Sequence, residues 1–176
     1  MTRSLSVHEV EGLVAGNDID IVVTADALKG AELLWEKQVA TIPPVTYQRF
    51  GTAMVQVEGL NIEIATARKE SYDQESRKPH VKPATIEEDA QRRDFTVNAL
   101  FQDLFTDEIL DPLNKGQQDL KRRVLRTPID PAETFYDDPL RMLRAVRFRW
   151  QLGLDPAEGL FDAIKSQRDR LKIVSS

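Results

Sequence analysis

The sequence predicts an α+β fold in which a mixed first part gives way to helix. Three observations carry that expectation. From Gly16 to about Ala67, β-branched runs alternate with one helical segment. From about Ala132 onward the pattern is wholly helical. Within the first of these regions, the stretch Asn17-Asp18-Ile19-Asp20-Ile21-Val22-Val23 is composed like a buried strand, yet it carries two carboxylates two residues apart.

Taken in order, Asp18–Val23 reads as the first strand, and Ala25–Lys37 as a helix with Leu28, Ala31, Leu34 and Trp35 inward. Thr41–Val45 contains Pro43 and Pro44, so it is a loop or a sheet edge. Met54–Val57 and Asn61–Ala65 read as two strands joined around Glu58-Gly59-Leu60, a hairpin. Lys69–Pro83 has almost no apolar content and reads as a mobile surface loop. Helix resumes at Thr85, where Thr85 and Glu88 have the spacing of a capping box. The helical end opens at Asp137-Asp138-Pro139, with proline near a helix start where its missing N–H is tolerated.

Composition narrows the chemistry. At 176 residues the chain is long enough for a core of one domain, or of one and part of another. The absence of cysteine excludes disulfides, thiolate catalysis and zinc–sulfur sites. No apolar span of membrane length and no signal-peptide pattern is present, so the expectation is a cytoplasmic protein with no membrane partner. With 24 Lys and Arg against 29 Asp and Glu, the net charge is −5, which argues against nucleic-acid binding through global charge while leaving room for a local basic face.

A strand sends alternate side chains to opposite faces, so Asp18 and Asp20 share one face while Ile19, Ile21 and Val23 share the other. From the rise of a strand, the two carboxylates are rooted roughly 6–7 Å apart. Like charges so close repel unless something positive lies between them. Magnesium suits such a pair, because it prefers hard oxygen ligands and is commonly held by one or two carboxylates plus substrate phosphates. Glu63, alternating with Ile62 and Ile64, is the natural third carboxylate from a neighbouring strand. A solvated strand face with no metal is the competing reading, since two acids at this spacing are common.

Two further constellations stand out. In Gln91-Arg92-Arg93-Asp94-Phe95-Thr96-Val97-Asn98-Ala99-Leu100, polar heads leave what reads as a buried helix. Guanidinium forks match phosphate oxygens and a carboxylate accepts from a ribose hydroxyl, although a local Arg–Asp salt bridge explains the same residues. In Asp137-Asp138-Pro139-Leu140-Arg141-Met142-Leu143-Arg144-Ala145-Val146-Arg147-Phe148, arginines recur every three residues along one side of a helix. Leu140, Leu143, Val146 and Trp150 form the adjacent stripe expected to pack inward. Asp138 and Arg141 are i, i+3 neighbours able to fix each other's planes, which gives the acceptors and donors that reading a base edge requires. Scattered surface charge is the alternative. His8 and His80 fall in loop-like sequence, His80 being read as solvated, which disfavours a histidine-dependent phosphohydrolase. Trp35, Trp150 and Tyr136 are read as packing residues.

In this order, DID, RRDFTVNAL, DPLNKGQQDL and DDPLRMLRAVRF resemble the class II tRNA nucleotidyltransferase (CCA-adding enzyme) and bacterial poly(A) polymerase family, from about Gly16 to the last residue. The resemblance implies a DNA polymerase β-like head with a small mixed sheet, followed by an all-α neck. It divides the chain into a head over 1–112, a connector over 113–133 and the start of the neck over 134–176. By it, Asp18 and Asp20 bind two Mg2+ ions, with Glu63 at the family's third acidic position. Arg93 and Asp94 address phosphate and ribose. Asp138 and Arg141 read the Watson–Crick edge of ATP or CTP, and Arg144 and Arg147 meet the phosphates. The tract Asp111-Pro112 to Gly116 to Asp119-Leu120 matches a linking motif, and Lys69–Pro83 falls where the family carries a flexible element tied to the switch from C to A addition. The implied partners are ATP, CTP and the 3′ end of tRNA or another RNA.

The sequence also departs from that family. Val10-Glu11-Gly12 stands where Val-Arg-Asp is expected, no Gly-Gly pair precedes it, and the connection to the Asp18–Val23 strand is short. By the same comparison the sequence stops at Ile173-Val174-Ser175-Ser176, where neck helices continue in the family, so the expectation is a shortened protein or a fragment without body and tail. Two functions are therefore carried forward. One is a transferase adding CMP and AMP to an RNA 3′ end, with CCA, CC-only, A-only and poly(A) addition left open. The other is a shortened, non-catalytic relative that binds nucleotide or RNA.

Overall fold

The computed structural model describes residues 2–4, 18–72 and 79–174; for residues 2–4 and for Asp18 it describes the backbone only. The departures around Val10-Glu11-Gly12 and at Ser175-Ser176, and the centre of the Lys69–Pro83 segment, lie outside the described residues. The chain forms two compact units that interleave in sequence: Met1–Lys69, Val81–Asp89 and Leu100–Leu110 make one, while Glu70–His80, Ala90–Ala99 and Asp111–Ser176 make the other.

The first unit is built on a mixed sheet. Its strands are β1 (Thr2–Ser4), β2 (Asp18–Val23), β3 (Val45–Tyr47), β4 (Thr52–Val57), β5 (Leu60–Thr66), β8 (Phe101–Asp103) and β9 (Ile109–Leu110), in the spatial order β3-β4-β5-β2-β1-β8-β9. β2 and β5 run parallel, and the other neighbours are antiparallel. The expected strand and hairpin are present. The hairpin turn is the two residues Glu58 and Gly59, with φ of 50° and 84°, the positive pair that a tight twisted hairpin requires. β3, just after Pro43-Pro44, is the sheet edge. β1, β8 and β9 extend the sheet beyond the predicted strands; with two or three residues each they are too short to display a period.

Helix α1 (Ala27–Glu36) packs on one face of this sheet. Asp26 caps it, accepting from the Leu28 and Lys29 N–H groups at 3.0 and 3.3 Å. The core there comprises Val23, Ala27, Ala31, Ala40, Ala53, Val55 and Ile64, with Ile21, Leu28, Leu34 and Ile62 partly buried against it. Trp35 departs from expectation: it sits in the last turn and remains 42% exposed. The wholly buried helix positions are Ala27 and Ala31, whose small side chains let the helix backbone approach the sheet.

The Lys69–Pro83 segment is not simply a loop. β6 (Arg68–Ser71) and β7 (His80–Pro83) pair as a two-stranded ribbon. Along β6 burial alternates, but its half-buried positions are Arg68 and Glu70, so the strand period is written in charged residues that hydropathy misses. The capping box is formed in both directions: the Glu88 N–H donates to Thr85 Oγ1 at 3.2 Å, and the Thr85 N–H to Glu88 Oε2 at 3.1 Å. Helix α2 (Ile86–Gln91) follows it and then stops.

RRDFTVNAL is therefore not helical as predicted. Phe95 is extended, with φ −138° and ψ 151°, and Thr96–Asn98 is a single 3₁₀ turn. The Asp94 side chain takes the Phe95 N–H at 2.8 Å, and the Thr96 N–H goes to the Arg126 carbonyl at 2.8 Å, so the groups a helix would use are spent elsewhere.

The second unit is mainly helical: α3 (Gly116–Arg122), α4 (Pro131–Asp137), α5 (Leu140–Leu152) and α6 (Leu160–Gln167). It is not wholly helical after Ala132, because β10 (Val124–Leu125) and β11 (Asp155–Pro156) form a short parallel pair. Phe95, Phe135, Met142, Leu125, Leu154 and Leu160 are fully buried in it, and Phe95 meets Phe148 edge-on at 5.7 Å. The inward face of α5 also differs from the predicted stripe. Leu143, Val146 and Trp150 are 50%, 44% and 77% exposed, while Arg141, Met142, Ala145 and Leu152 are buried. The face is turned because a buried acidic partner accepts the Arg141 charge, as described below.

Candidate active site

On the first unit, the alternation predicted for the carboxylate strand is realised. β2 pairs with β5 in the register Asp20↔Glu63, flanked by Asp18↔Asn61 and Val22↔Ala65. Asp20 and Glu63 are exposed, while Ile21, Val23, Ile62 and Ile64 face the α1 side. Asp18 holds the strand position two residues before Asp20; its side chain lies outside the described residues.

In-register neighbours of adjacent strands are side by side. The electrostatics agree: the Glu63 carboxyl, exposed to solvent yet partly desolvated by the groups around it, is pushed above its ordinary range first by that desolvation and then by the negative charge of Asp20, with the Arg68 guanidinium pulling the other way. Two carboxylates in register on adjacent strands, one of them pushed up by the other's charge, are a donor set of hard oxygens suited to a divalent cation. Among the described residues, no group of three or more His, Cys, Asp or Glu converges to hold a metal. Asp20 and Glu63 fit as two members of such a set.

On the second unit, the predicted base- and phosphate-reading residues form two linked clusters around buried acids. Asp94 is 8% exposed and receives the Phe95 N–H at 2.8 Å, the Asn98 amide at 3.1 Å and Arg144 Nε at 2.6 Å. Arg93 donates Nη1–H to the Asn98 carbonyl at 2.8 Å, which braces the same 3₁₀ turn. The Arg144 and Arg147 guanidinium groups both lie about the Phe148 ring, 5.0 and 4.9 Å from its centroid. Arg147 is otherwise exposed.

Arg141 belongs to the second cluster, which composition alone did not disclose. It is 7% exposed, donates to the Arg92 carbonyl at 2.6 Å and to the Tyr72 hydroxyl at 3.5 Å, and lies 4.0 Å from Glu70. Glu70 also receives Arg92 Nη1 at 3.0 Å and the Tyr72 hydroxyl at 2.5 Å. The Tyr72 hydroxyl is held well above the usual phenol range by its burial and by its bond to Glu70. Asp138, extended at φ −134°, takes the Leu140 N–H at 3.0 Å and starts α5. Its neighbour Asp137 has its carboxyl raised by burial, with Arg141 opposing. Glu70 and Tyr72 are the residues missed in the sequence; their only signal is a Glu and a Tyr at strand spacing within a polar run.

The tract matching a linking motif is also ordered by its acids. Asp111 accepts the N–H groups of Lys115, Gly116 and Gln117 at 3.3, 3.2 and 3.0 Å, capping α3. Asp119, 4% exposed, takes the Thr96 hydroxyl at 2.8 Å and Arg126 Nε at 3.1 Å.

The chain thus carries a mixed sheet with two in-register carboxylates and a mainly helical unit whose arginines are seated on buried acids. The chain belongs to the Poly A polymerase head domain family, which it matches over residues 9–126. It is 44% identical over 119 residues to a tRNA nucleotidyltransferase of Schizosaccharomyces pombe, covering 66% of this chain and 25% of that protein. It is 35% identical over 170 residues to a CCA-adding enzyme of Bacillus pumilus, covering 94% of this chain and 41% of that one. Its fold matches the crystal structure of the Bacillus stearothermophilus CCA-adding enzyme in complex with CTP, with a TM-score of 0.81, 27% identity, and coverage of 99% of this chain and 41% of that one. The chain thus spans a quarter to two-fifths of the length of these relatives. Among the described residues, no helix is long and apolar enough to cross a membrane.

Proposed function

We propose that this chain carries the nucleotide-transferring part of a tRNA nucleotidyltransferase, adding CMP or AMP from CTP or ATP to the 3′ end of an RNA. The observation that supports it most is the in-register Asp20–Glu63 pair on an exposed sheet face, in a chain of this family. Residues 1–112 are read as its head, 113–133 as the connector and 134–176 as the start of the neck.

Asp18, Asp20 and Glu63 would hold Mg2+, which when bound supplies charge neutralisation at the triphosphate and lowers the proton affinity of an attacking hydroxyl. The protein's own part is to fix these oxygens on two adjacent strands, so that they need no rearrangement on meeting their charge. Asp94 is assigned to the ribose and Arg93 to phosphate. Arg144 and Arg147 extend the phosphate-facing charge along α5. Asp138 and Arg141 are assigned to the base edge, where a guanidinium held by the Arg92 carbonyl and Tyr72 offers a fixed donor plane.

The test is Mg2+-dependent incorporation of labelled CTP and ATP into a tRNA lacking its 3′ end, with Asp20→Ala and Asp18→Ala as controls. Incorporation that disappears in both controls supports the transferase. Use of CTP before ATP, or of ATP alone in long runs, separates CCA addition from poly(A) synthesis. Nucleotide binding without incorporation sinks the enzymatic reading for this chain and leaves the binding one.

A further inference from the structure

The row of residues that contains the carboxylate pair continues across the sheet into an apolar shelf. Residues directly opposite one another on neighbouring strands share a face. Asp20 stands opposite Glu63, Glu63 opposite Met54, and Met54 opposite Val45. One face of the sheet thus runs from two acids on β2 and β5 to two apolar side chains on β4 and β3. Tyr47, two residues along β3 from Val45, shares that face and is the diagonal neighbour of Met54. Val45, Tyr47 and Met54 are 51%, 48% and 37% exposed. The opposite face of β4 differs, because Ala53 and Val55 there are buried in the core.

In the other direction the same row is closed. It passes from Asp20 to Ser4 and on to Phe101, which is 0% exposed. A molecule that sets a reacting group against Asp20 and Glu63 therefore has room to spread over β4 and β3, and none over Phe101. Adjacent strands are about 4.8 Å apart, so the shelf begins about 5 Å from Glu63 and reaches about 10 Å from it. That is the scale of one nucleoside. Its ribose hydroxyls match the acidic border, and the flat face of its base matches a phenol ring and a polarizable thioether. An apolar protein segment would have no use for two carboxylates along its border.

We propose that Val45, Tyr47 and Met54 seat the 3′-terminal nucleoside of the acceptor RNA, its base on the shelf and its 3′ hydroxyl at the Asp20–Glu63 pair. The ligand, an RNA with a free 3′ hydroxyl, rests on the transferase reading above. In that reading the incoming nucleotide is assigned to other residues, Arg93, Asp94, Asp138, Arg141, Arg144 and Arg147, which leaves this shelf to the acceptor. Stacking is tolerant of base identity, so the seat accepts an end in C as readily as one in A.

The full chain is bound to a tRNA lacking its 3′ end, in Mg2+ without nucleoside triphosphate, so that nothing turns over. A 4-thiouridine at the 3′ terminus is photocrosslinked and the attached peptide is mapped by mass spectrometry; a second RNA carries the label within the duplex stem. Affinity is measured for wild type, Tyr47→Phe and Tyr47→Ala, with folding checked by Tm. The expected result is a crosslink within Val45–Met54 from the terminal label alone. Affinity should be kept by Tyr47→Phe and weakened at least about fivefold in Tyr47→Ala. A terminal crosslink elsewhere overturns the seat, and so does equal affinity of Tyr47→Ala and wild type. Self-association that Tyr47→Ala abolishes while RNA binding is unchanged gives the face to a second copy, and overturns the seat too. The crosslink is read on the wild-type chain, so the test holds whatever the stability of the variants. Incorporation that fails while the terminal crosslink maps to the shelf sinks the transferase and leaves the seat standing; incorporation with the crosslink elsewhere does the reverse.

Discussion

Arg144 of α5 donates its Nε–H to Asp94 at 2.6 Å, so a helix and the irregular segment fifty residues before it share one carboxylate. Asp94 is largely buried and Arg144 is not: the side chains are 9% and 39% exposed. The pair is therefore partly screened on the arginine side only.

Asp94→Ala removes the acceptor for Arg144, for the Asn98 amide and for the Phe95 N–H together. Loss of a partner in a buried pair costs about 3–5 kcal/mol, and the exposure of Arg144 lowers the expectation to about 1–3 kcal/mol. Asp94→Asn keeps a neutral acceptor and loses less. Urea unfolding of both variants measures the difference, and equal stabilities would contradict the shared role of the carboxylate.

The Asp20–Glu63 pair makes a prediction about pH and metal. Glu63 has its folded-state proton affinity raised, so the fold binds more protons than the unfolded chain and loses stability as pH rises from the ordinary carboxyl value of 4.5 through the raised one. At neutral pH the unfavourable contribution is fully present. Mg2+ should then raise Tm at pH 7, with a gain that shrinks as pH falls into the range where Glu63 is protonated. Glu63→Gln should raise Tm in the absence of metal and abolish most of the Mg2+ gain. A thermal shift by Mg2+ that is the same in wild type and Glu63→Gln would exclude Glu63 from the site.

Asp119 is 4% exposed and bound to Thr96 and Arg126 at once. Asp119→Ala leaves a buried hydroxyl and a guanidinium without their acceptor, at a cost of about 2–3 kcal/mol. Thr96→Val in the Asp119→Ala background should cost less than Thr96→Val alone, because the hydroxyl has already lost its partner. A double-mutant cycle by denaturant unfolding checks this, and strict additivity would deny the contact.

How much of this was legible in the sequence follows from where the signals live. The carboxylate face was readable because a strand has a period of two, and DIDIVV displays it without outside help. Helix α5 was readable as a helix, but not its inward side. Apolar residues were taken to mark the core, whereas Arg141 is buried against Glu70 from a segment 71 positions earlier, a pairing no local pattern carries. The RRDFTVNAL run has helix-like apolar spacing, yet Asp94 and the Arg126 carbonyl claim its backbone N–H groups. The Arg68–Ser71 strand escaped because its buried positions hold charge. In each case the miss is a tertiary partner for a polar group.

The hairpin turn offers a simpler test. Gly59 has φ +84°, and Cβ-bearing residues pay roughly 1–2 kcal/mol in left-handed backbone. Gly59→Ala should lower stability by about 1 kcal/mol, although nothing lies within 4 Å of the added Cβ. Glu58→Asn, at φ +50°, should raise it slightly. Differential scanning calorimetry reads both, and a neutral Gly59→Ala would mean that the turn relaxes to another type.

The place of β1 in the sheet sets an order on how the protein can be made. Thr2 pairs with Val22 on one side and with Asp103 on the other, so the opening residues are an interior strand rather than an edge. During synthesis, Thr2–Ser4 can find β2 early, but its second neighbour is translated roughly a hundred residues later. At about 5–20 residues per second, one side of that strand stays open for about 5–20 s. For that interval the nascent chain presents a bare row of amide and carbonyl groups, and this is when a ribosome-associated chaperone has most to shield.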